Sequence, residues 1–390
     1  MVYKTVTNAL SRILGTPQYI ILFVSDACWM KCGHCWYNED WKSENLRHPE
    51  LSFDELERLA KSIERIHFLS LTGGEAFRRE DIVEVVRLFA RRTKLGRYQI
   101  PTSGFMPDLI VERAERMLRD NPRTPFRVDV SIDGTESTHE RIRNIHGGFA
   151  RALETLRGLR KLKERCAWFD VGVISTISKQ NQHEVEEIGA LVESVHPDGE
   201  WMVNITRGKP RDPTAVDVDV RNYWRAHEII EERIRAGRYR GHSGHFLASW
   251  LSAKNATRRR VIRDIVEGRT RGGGCAAGAL AGVIFNDGEV MPCELLDRGL
   301  GNLRDFDFDL RRLWNSEEAR RVRAWIQDTR CQCTQECFLS VSLLIQPRHW
   351  PDIVRQRLLL GTASRHGDAR AASSGRPSAT TGEVAEVANE

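Results

Sequence analysis

The stretch Gln18–Cys35 reads Q-Y-I-I-L-F-V-S-D-A-C-W-M-K-C-G-H-C and joins an apolar strand to three closely spaced cysteines. Gln18–Val24 has the continuous apolar character of a strand that is buried on both faces. Cys28, Cys32 and Cys35 follow it in the pattern C-x3-C-x2-C. Four thiolates would complete the ligand set of a four-iron cluster, whereas three leave one iron open to a substrate or cosubstrate. The pattern therefore favours an enzyme over an electron carrier, with a partial zinc site as the alternative.

The composition is that of a globular protein with one large domain or two of ordinary size. The chain has 390 residues, of which 41% are hydrophobic, and a formal net charge of +5 with both signs well mixed. This mixture argues against a nucleic-acid-binding protein, in which basic residues are more concentrated. The apolar stretch Tyr19–Val24 is too short for a signal peptide or a membrane span, so we expect a cytoplasmic protein without a membrane partner. In that compartment thiols stay reduced, and the nine cysteines then indicate metal binding rather than disulfides.

Strand-like and helix-like segments alternate between residues 18 and 205. The predicted strands are Gln18–Val24, His67–Leu71, Tyr98–Ile100, Phe126–Ile132, Phe169–Thr176 and Trp201–Ile205. Apolar stripes at helical spacing lie between them, and Ser52 with Glu55 predicts a capping box at the start of the first helix. Six strand–helix units predict an α/β fold with a parallel sheet, and they are too few for a closed eightfold barrel, so we expect an open, partial (β/α)6 barrel. The carboxyl ends of its strands, where such folds place their active sites, carry the cysteine run, Gly73–Glu75, Thr102–Gly104, Ser131–Gly134 and Thr176.

Five further cysteines form a second group near the C-terminus. They are Cys275, Cys293, Cys331, Cys333 and Cys337. The turn Asn286–Gly288 predicts a hairpin that brings Cys275 near Cys293, and a predicted helix at Leu310–Gln327 precedes the other three. This group indicates a second metal centre, either an iron–sulfur cluster or a zinc site. Cys166 stands apart from both groups and reads as an ordinary core residue.

These patterns divide the chain into four parts. Residues 1–16 form an N-terminal extension, and residues 17–265 form the partial barrel with the helices that follow it. Residues 266–345 form a small cysteine-containing domain. Residues 346–390 form a C-terminal tail, which we expect to be largely disordered because from about Ser364 onward it has too little apolar content to offset the entropy of ordering.

The motifs at the strand ends resemble those of the radical S-adenosylmethionine (SAM) superfamily. The cysteine run follows strand one, and Gly73–Glu75 (G-G-E) ends strand two. The resemblance implies that Cys28, Cys32 and Cys35 hold a [4Fe–4S] cluster and that SAM binds the open iron. It further implies that Glu75, with the backbone of Gly73 and Gly74, holds the amino group of SAM. The resemblance covers residues 17–205.

Further pieces of the chain are similar to this family. Phe126–Gly134 reads F-R-V-D-V-S-I-D-G. The segment His139–Phe149, which contains Arg143, follows it. The resemblance implies four more cosubstrate contacts, which are Ser131 to the ribose, Arg143 to the carboxylate, and Thr176 and Asn181 to the nucleoside. A surface salt bridge is the alternative role for Arg143. Two positions depart from the family pattern, since Ala76 replaces the usual Pro and Ser103 replaces the usual Asn.

The second cysteine group resembles the twitch domain, a shortened form of the SPASM auxiliary-cluster domain. Full SPASM domains carry seven cysteines for two clusters, whereas this group has five. The resemblance therefore implies one auxiliary [4Fe–4S] cluster. Its expected ligands are Cys275, Cys293, Cys337 and one of Cys331 or Cys333, with Cys333 preferred. Such a cluster would accept the electron that a substrate radical loses in a net oxidation.

Membership of this family would imply reductive cleavage of SAM to a 5′-deoxyadenosyl radical, which abstracts hydrogen from a substrate. The leading hypothesis is an oxidoreductase that acts on a small polar biosynthetic intermediate (a sugar, cyclitol or nucleoside) and takes electrons from flavodoxin or ferredoxin. The alternative is a maturase that modifies a ribosomally made peptide or protein. Only about 17 residues precede the first strand, so we expect no N-terminal peptide-recognition domain in this chain, although a separate partner could supply one. A hypothesis of another class is a non-catalytic iron–sulfur carrier or scaffold.

Overall fold

One large mixed sheet organises the protein. The computed structural model describes residues 9–11, 13–236, 248–269, 274–331 and 333–359. The strands are β1 (Tyr19–Ser25), β2 (Arg65–Ile66), β3 (Phe68–Gly73), β4 (Lys94–Leu95), β5 (Tyr98–Thr102), β6 (Phe126–Ser131), β7 (Phe169–Ile177), β8 (Glu200–Ile205), β9 (Ala281–Ile284), β10 (Glu289–Met291) and β11 (Gly301–Asn302). β2 and β4 pair with each other, and the other nine strands form one sheet in the order β11-β10-β9-β1-β3-β5-β6-β7-β8.

Helices cover this sheet. They are α1 (Glu39–Asn45), α2 (Phe53–Lys61), α3 (Ile82–Arg92), α4 (Pro107–Asp120), α5 (Glu136–Arg143), α6 (Gly148–Arg165), α7 (Val185–Val195), α8 (Val220–Arg235), α9 (Ala248–Val266), α10 (Leu310–Trp314), α11 (Glu317–Asp328) and α12 (Glu336–Leu344). Short 3-10 helices span Ala76–Arg78, Pro213–Val216, Leu303–Phe306 and Pro347–His349. Among the described residues, no helix is both long enough and apolar enough to cross a membrane.

The partial (β/α)6 barrel predicted from the sequence is confirmed. β1, β3, β5, β6, β7 and β8 pair in parallel and in this order. The strands are apolar because both of their faces are covered, and Leu22, Leu71, Val128 and Val173 are fully buried. The predicted capping box also forms. The backbone N–H of Glu55 donates to the Ser52 hydroxyl oxygen, and the backbone N–H of Ser52 donates to the Glu55 carboxylate.

The second cysteine segment (residues 275–337) extends the barrel sheet, which the sequence did not predict. β9 pairs in parallel with β1, so that Tyr19 lies opposite Ala281 and Leu22 opposite Ile284. β9 and β10 then form the predicted hairpin, whose turn ends at Gly288 with a φ of +90° that favours glycine. The sheet therefore runs without a break from the barrel into this segment, and the division at residue 265 stays a prediction.

One expected element differs from the structure. The single helix expected at Leu310–Gln327 is two helices, α10 and α11, because Asn315 ends the first and Ser316 caps the second with its side chain. In the tail, residues 347–359 form a 3-10 turn and a helix, and the disorder expected from about Ser364 onward stays a prediction. The remainder of the tail, from residue 360, and the first residues of the N-terminal extension lie outside the described residues.

Candidate functional site

The carboxyl ends of the barrel strands open into a cavity of about 410 Å³, here named the rim cavity. From the barrel, its lining includes Cys28, Cys32, Cys35, Gly74, Glu75, Ser131, Arg143 and Thr176. From the second cysteine segment, its lining includes Glu294, Gln335, Glu336 and Cys337. Strand ends that are far apart in the sequence therefore meet at one site, as parallel β/α topology requires. The second cysteine segment supplies the facing wall.

The cysteine loop (residues 28–35) is held from two sides. Arg78 donates to the carbonyl of Cys28 at 2.9 Å, and Arg211 donates to the carbonyl of Cys32 at 2.8 Å. Gly33 donates its backbone N–H to the carbonyl of Ile142 at 2.8 Å. Arg211 follows β8, the last barrel strand, whereas the cysteines follow β1, the first. The loop is thus fixed by contacts across the open side of the barrel.

The three thiols of this loop fit a cluster better than a single ion. Burial raises the pKa of each, and it raises the pKa of Cys32 to about 12, against the lowering effect of Arg143. Buried thiols of this kind lose their protons when they bind a metal, whose charge replaces that of the proton. Within the described ranges, no three His, Cys, Asp or Glu side chains form a group that could hold one metal ion. A four-iron cluster takes one thiolate per iron, so its ligands stand farther apart than those of a single zinc ion.

Glu75 offers one unsatisfied oxygen to the rim cavity. It is only 2% exposed, and burial raises its pKa. Its Oε2 accepts hydrogen bonds from the backbone N–H of Ser103 at 2.8 Å and from the Ser103 hydroxyl at 2.6 Å. Its Oε1 has no hydrogen-bond partner among the described residues. A buried orphan oxygen is costly unless a ligand satisfies it, and an ammonium group would do so.

The two glycines before Glu75 allow the backbone to pass close to the cysteine loop. A Cβ on Gly73 would lie 2.1 Å from the carbonyl oxygen of Ser25, and Gly73 has a φ of +129°. A Cβ on Gly74 would lie 2.4 Å from the carbonyl oxygen of Ala27. Only glycine fits at both positions, because these oxygens belong to backbone that cannot move aside. Gly74 lines the rim cavity, and Gly73 packs behind it.

Ser103 is therefore a positioning residue for Glu75, and its replacement gives a first prediction. Ser103→Ala is expected to weaken SAM binding about tenfold, because a hydrogen bond to a charged group contributes roughly 1.5–3 kcal/mol. Ser103→Thr keeps the hydroxyl and is the matched control. Equilibrium dialysis of SAM against the anaerobically reconstituted protein measures both dissociation constants. An unchanged constant in Ser103→Ala would show that Glu75 needs no such support.

Arg143 lies in a buried ion pair rather than in a surface salt bridge. Its guanidinium is 2.5 Å from the carboxylate of Asp133, which is fully buried. It also donates to Cys32 Sγ at 3.8 Å. The second oxygen of Asp133 accepts from the backbone N–H of Thr176 at 2.8 Å. Arg143 thus connects the cysteine loop to the ends of β6 and β7, and its position on the rim cavity is compatible with an anionic ligand.

Asn181 is held by hydrogen bonds within the protein. Its side chain is fully buried and is not part of the cavity lining. Its amide donates to the carbonyls of Asp133 at 2.7 Å and Thr176 at 2.9 Å, and its oxygen accepts from the N–H of Ser178 at 2.7 Å. With both ends of the amide used inside the protein, Asn181 shapes the strand ends, and its contact with a nucleoside stays a prediction. Ser131 and Thr176, by contrast, do line the cavity.

The facing wall of the rim cavity was missed from the sequence. Glu294 is partly buried, and desolvation raises its pKa to about 7 although Arg207 lowers it. Glu336 accepts a hydrogen bond from the Tyr223 hydroxyl at 2.5 Å and lies 4.0 Å from the Arg207 guanidinium. Gln335 donates to Glu294. Glu294 directly follows Cys293, and Glu336 directly precedes Cys337, which is the one sequence signal that could have drawn attention to them.

The second group of thiols is divided between two cavities. Cys275, Cys331 and Cys333 line a separate cavity of about 70 Å³, here named the small cavity. Cys293 is buried at the end of the β9–β10 hairpin. Cys337 lines the rim cavity, together with the first three cysteines.

Two family comparisons agree with this arrangement. Residues 22–192 match the sequence model of the Radical SAM superfamily, and residues 275–338 match that of the SPASM iron–sulfur cluster-binding domain. The chain belongs to the radical SAM superfamily and carries a C-terminal SPASM domain. Its cofactors are accordingly a [4Fe–4S] cluster, SAM and an auxiliary iron–sulfur cluster, and the buried thiols and the orphan oxygen of Glu75 fit them.

The individual relatives share only about a quarter of their aligned residues with this chain. The chain is 24% identical over 335 residues to the "Sporulation killing factor maturation protein SkfB" of Bacillus subtilis, covering 83% of this chain and 70% of SkfB. It is 25% identical over 234 residues to the "Pre-heme d1 synthase" of Dinoroseobacter shibae, covering 58% of this chain and 54% of that protein. The structure of Streptococcus suis SuiB bound to the precursor peptide SuiA matches with a TM-score of 0.54 and 15% identity, covering 80% of this chain and 68% of SuiB. At that identity, the structural match shows a shared fold alone.

Proposed function

We propose that this protein is a radical SAM maturase that modifies a ribosomally made peptide. The observation that carries this proposal is the rim cavity, which lies between the cysteine loop on one side and a polar wall from the SPASM domain on the other. The similarity to SkfB, a maturation protein, extends over most of the chain and supports the same substrate class. It favours a peptide over the sugar, cyclitol or nucleoside that was the leading hypothesis from the sequence.

The chemistry of the facing wall also suits a peptide. Glu294 and Glu336 offer acceptors, whereas Arg207 and Gln335 offer donors. A peptide backbone presents N–H and C=O groups in equal number, so it can pair with both kinds. The similarity to the Pre-heme d1 synthase suggests a tetrapyrrole as a second candidate substrate. Its carboxylates would meet the acidic side chains of Glu294 and Glu336 at this wall, and like charges there oppose binding.

Within this proposal, each group of residues has a distinct task. The cluster and SAM, when bound, supply a 5′-deoxyadenosyl radical that abstracts hydrogen from the substrate. Cys28, Cys32 and Cys35 would hold the first cluster, and Glu75 would accept hydrogen bonds from the amino group of SAM. Arg143 places a positive charge beside the thiolates. The SPASM domain covers the open side of the barrel, which excludes water from the reacting groups.

The test is an anaerobic assay with defined substrates. The reconstituted, reduced protein is incubated with SAM and synthetic peptides encoded by short genes next to its own. Parallel reactions contain Fe-coproporphyrin III or a panel of nucleosides. We expect 5′-deoxyadenosine to form together with a peptide that has lost two hydrogens per modification, as measured by mass spectrometry. Product from the tetrapyrrole or a nucleoside but from no peptide would contradict the proposal. The Cys28→Ala/Cys32→Ala/Cys35→Ala variant is the control for background cleavage of SAM.

A further inference from the structure

The second cysteine segment contains one thiol more than a single cluster needs. A [4Fe–4S] cluster is held by at most four cysteine thiolates, and this segment supplies five. The sequence pattern alone leaves the choice open, because Cys331, Cys333 and Cys337 follow one another closely in the chain. The structure separates them by the cavity that each one faces.

Three of the five thiols share one environment. Cys275, Cys331 and Cys333 all line the small cavity. Burial, together with the neighbouring Cys333 and Cys331, raises the pKa of Cys275 to about 12. The pKa of Cys331 is raised by burial and by Cys333. These three side chains are therefore close enough for their charges to interact.

Cys293 joins this set from the β9–β10 hairpin. Burial raises its pKa, and among the charged groups Cys275 and Cys333 raise it further. The hairpin brings Cys293 toward Cys275, because β9 and β10 are antiparallel and Met291 pairs with Val283. Cys293 thus lies within electrostatic reach of two of the three thiols that line the small cavity.

Backbone amides give independent support for three of these ligands. Cys28 in the cysteine loop accepts a hydrogen bond from the N–H two residues later, that of Met30, at 3.5 Å. Cys275 has the same contact with Ala277 at 3.5 Å, and Cys333 has it with Gln335 at 3.4 Å. The backbone of Leu295 likewise lowers the pKa of Cys293. Such N–H groups stabilise a thiolate, which is the form that binds iron.

Cys337 has a different environment. It lies in the first turn of α12, and its thiol is hydrogen-bonded to the buried hydroxyl of Tyr19. The charged groups that act on it are Glu294, Glu336 and Arg207, all of which line the rim cavity. Glu294 and Arg207 also act on Cys333, so the cavity that Cys337 lines and its bond to Tyr19 are what distinguish it. Its thiol thus shares a cavity with the cysteine loop rather than with the other four cysteines of its own segment.

The chain direction just before Cys331 explains how a C-x-C pair can serve one site. Arg330 has a left-handed φ of +52°, which turns the chain sharply after α11. The N–H of Cys331 then returns to the carbonyl of Ile326 at 3.0 Å. Beyond this turn, Cys331 and Cys333 both line the small cavity.

We propose that Cys275, Cys293, Cys331 and Cys333 together hold the auxiliary cluster, and that Cys337 is a free thiol in the wall of the rim cavity. This assignment replaces Cys337 by Cys331 in the ligand set that the sequence suggested. It stands independently of whether the substrate is a peptide. It also means that a substrate in the rim cavity meets a cysteine side chain opposite the cluster that binds SAM.

The first test counts iron in variants that lack the first cluster. In the Cys28→Ala/Cys32→Ala/Cys35→Ala background, anaerobic reconstitution is expected to leave about four irons per chain. Adding Cys337→Ala is expected to keep these irons and the electron paramagnetic resonance signal of the reduced cluster. Adding Cys331→Ala is expected to lower the iron content or to change that signal. Loss of the cluster in Cys337→Ala, with an unchanged cluster in Cys331→Ala, would overturn the assignment.

A second measurement avoids the risk that a variant misfolds. The same triple variant, with its auxiliary cluster intact, is treated with iodoacetamide before and after iron is removed by a chelator, and the labelled cysteines are identified by mass spectrometry. We expect labelling of Cys331 to rise at least about tenfold after chelation, because ligation protects a thiol. Labelling of Cys337 is expected to stay the same. The reverse result would overturn the assignment even if all variants fold.

Discussion

Replacing Cys32 by alanine is expected to abolish SAM cleavage, with 5′-deoxyadenosine falling to the level of a reaction without enzyme. Cys32 is the middle ligand of the proposed cluster and is only 8% exposed. Its thiol accepts from Arg143, which in turn pairs with Asp133. Without this thiolate, two cysteines remain for a cluster that needs three, and about four irons per chain are expected to be lost.

Cys166→Ala is the matched control for this experiment. Cys166 lies between α6 and β7 and belongs to neither group of cysteines, so the same chemical change there should leave iron content and SAM cleavage unchanged. Iron is measured colorimetrically, and 5′-deoxyadenosine is measured by liquid chromatography. Turnover by Cys32→Ala at the wild-type rate would remove the basis for placing the first cluster at this loop.

The second large effect concerns stability. Arg143→Met is expected to lower the free energy of unfolding by about 3–5 kcal/mol, because it leaves the carboxylate of Asp133 buried without its partner. The double variant Asp133→Asn/Arg143→Met should regain part of this loss, since the uncompensated charge is then gone. Arg221→Met is the control, because Arg221 pairs with Asp219 on the exposed surface and should have no measurable effect. Denaturant titration of the apoprotein under reducing conditions gives these values.

The pH dependence of stability should change in the same variant. Burial raises the pKa of Asp133, but Arg143 and the neighbouring groups hold it below its ordinary value. In the wild type, the ionised carboxylate of Asp133 therefore stabilises the folded state above about pH 4, and this stabilisation is lost only as the pH falls through the lowered pKa. In Arg143→Met, burial acts without that opposition, so the pKa of Asp133 rises. Stability should then fall as the pH increases through the raised pKa, and a flat profile would contradict this account.

The barrel was predictable because its signals are local. Gln18–Val24, Phe126–Ile132 and the other predicted strands differ by one or two residues from the observed ends of most strands. The apolar runs and the residues that follow them place Cys28 and Glu75 at the same edge without any knowledge of tertiary contacts. The fold class and the cofactors inferred from these motifs are confirmed.

The remaining features depend on contacts between distant parts of the chain. The pairing of β9 with β1 is not encoded in either strand alone, since any buried apolar strand could occupy that edge. Without it, the position of Glu294 opposite Glu75 cannot be foreseen. The hydrogen bonds of Asn181 could not be foreseen for another reason, because the sequence shows a polar residue near a strand end and does not show which partners use its amide.

The place of β9 beside β1 has a consequence for how the protein is made. β1 emerges early from the ribosome, but its second neighbour is synthesised roughly 260 residues later, so this edge of the sheet stays bare during most of translation. An unpaired, wholly apolar strand is a template for aggregation. Expression at reduced temperature with abundant chaperones should therefore raise the soluble yield, and truncation before Ala281 should lower it. The barrel cannot be obtained as an isolated module simply by ending the gene after β8.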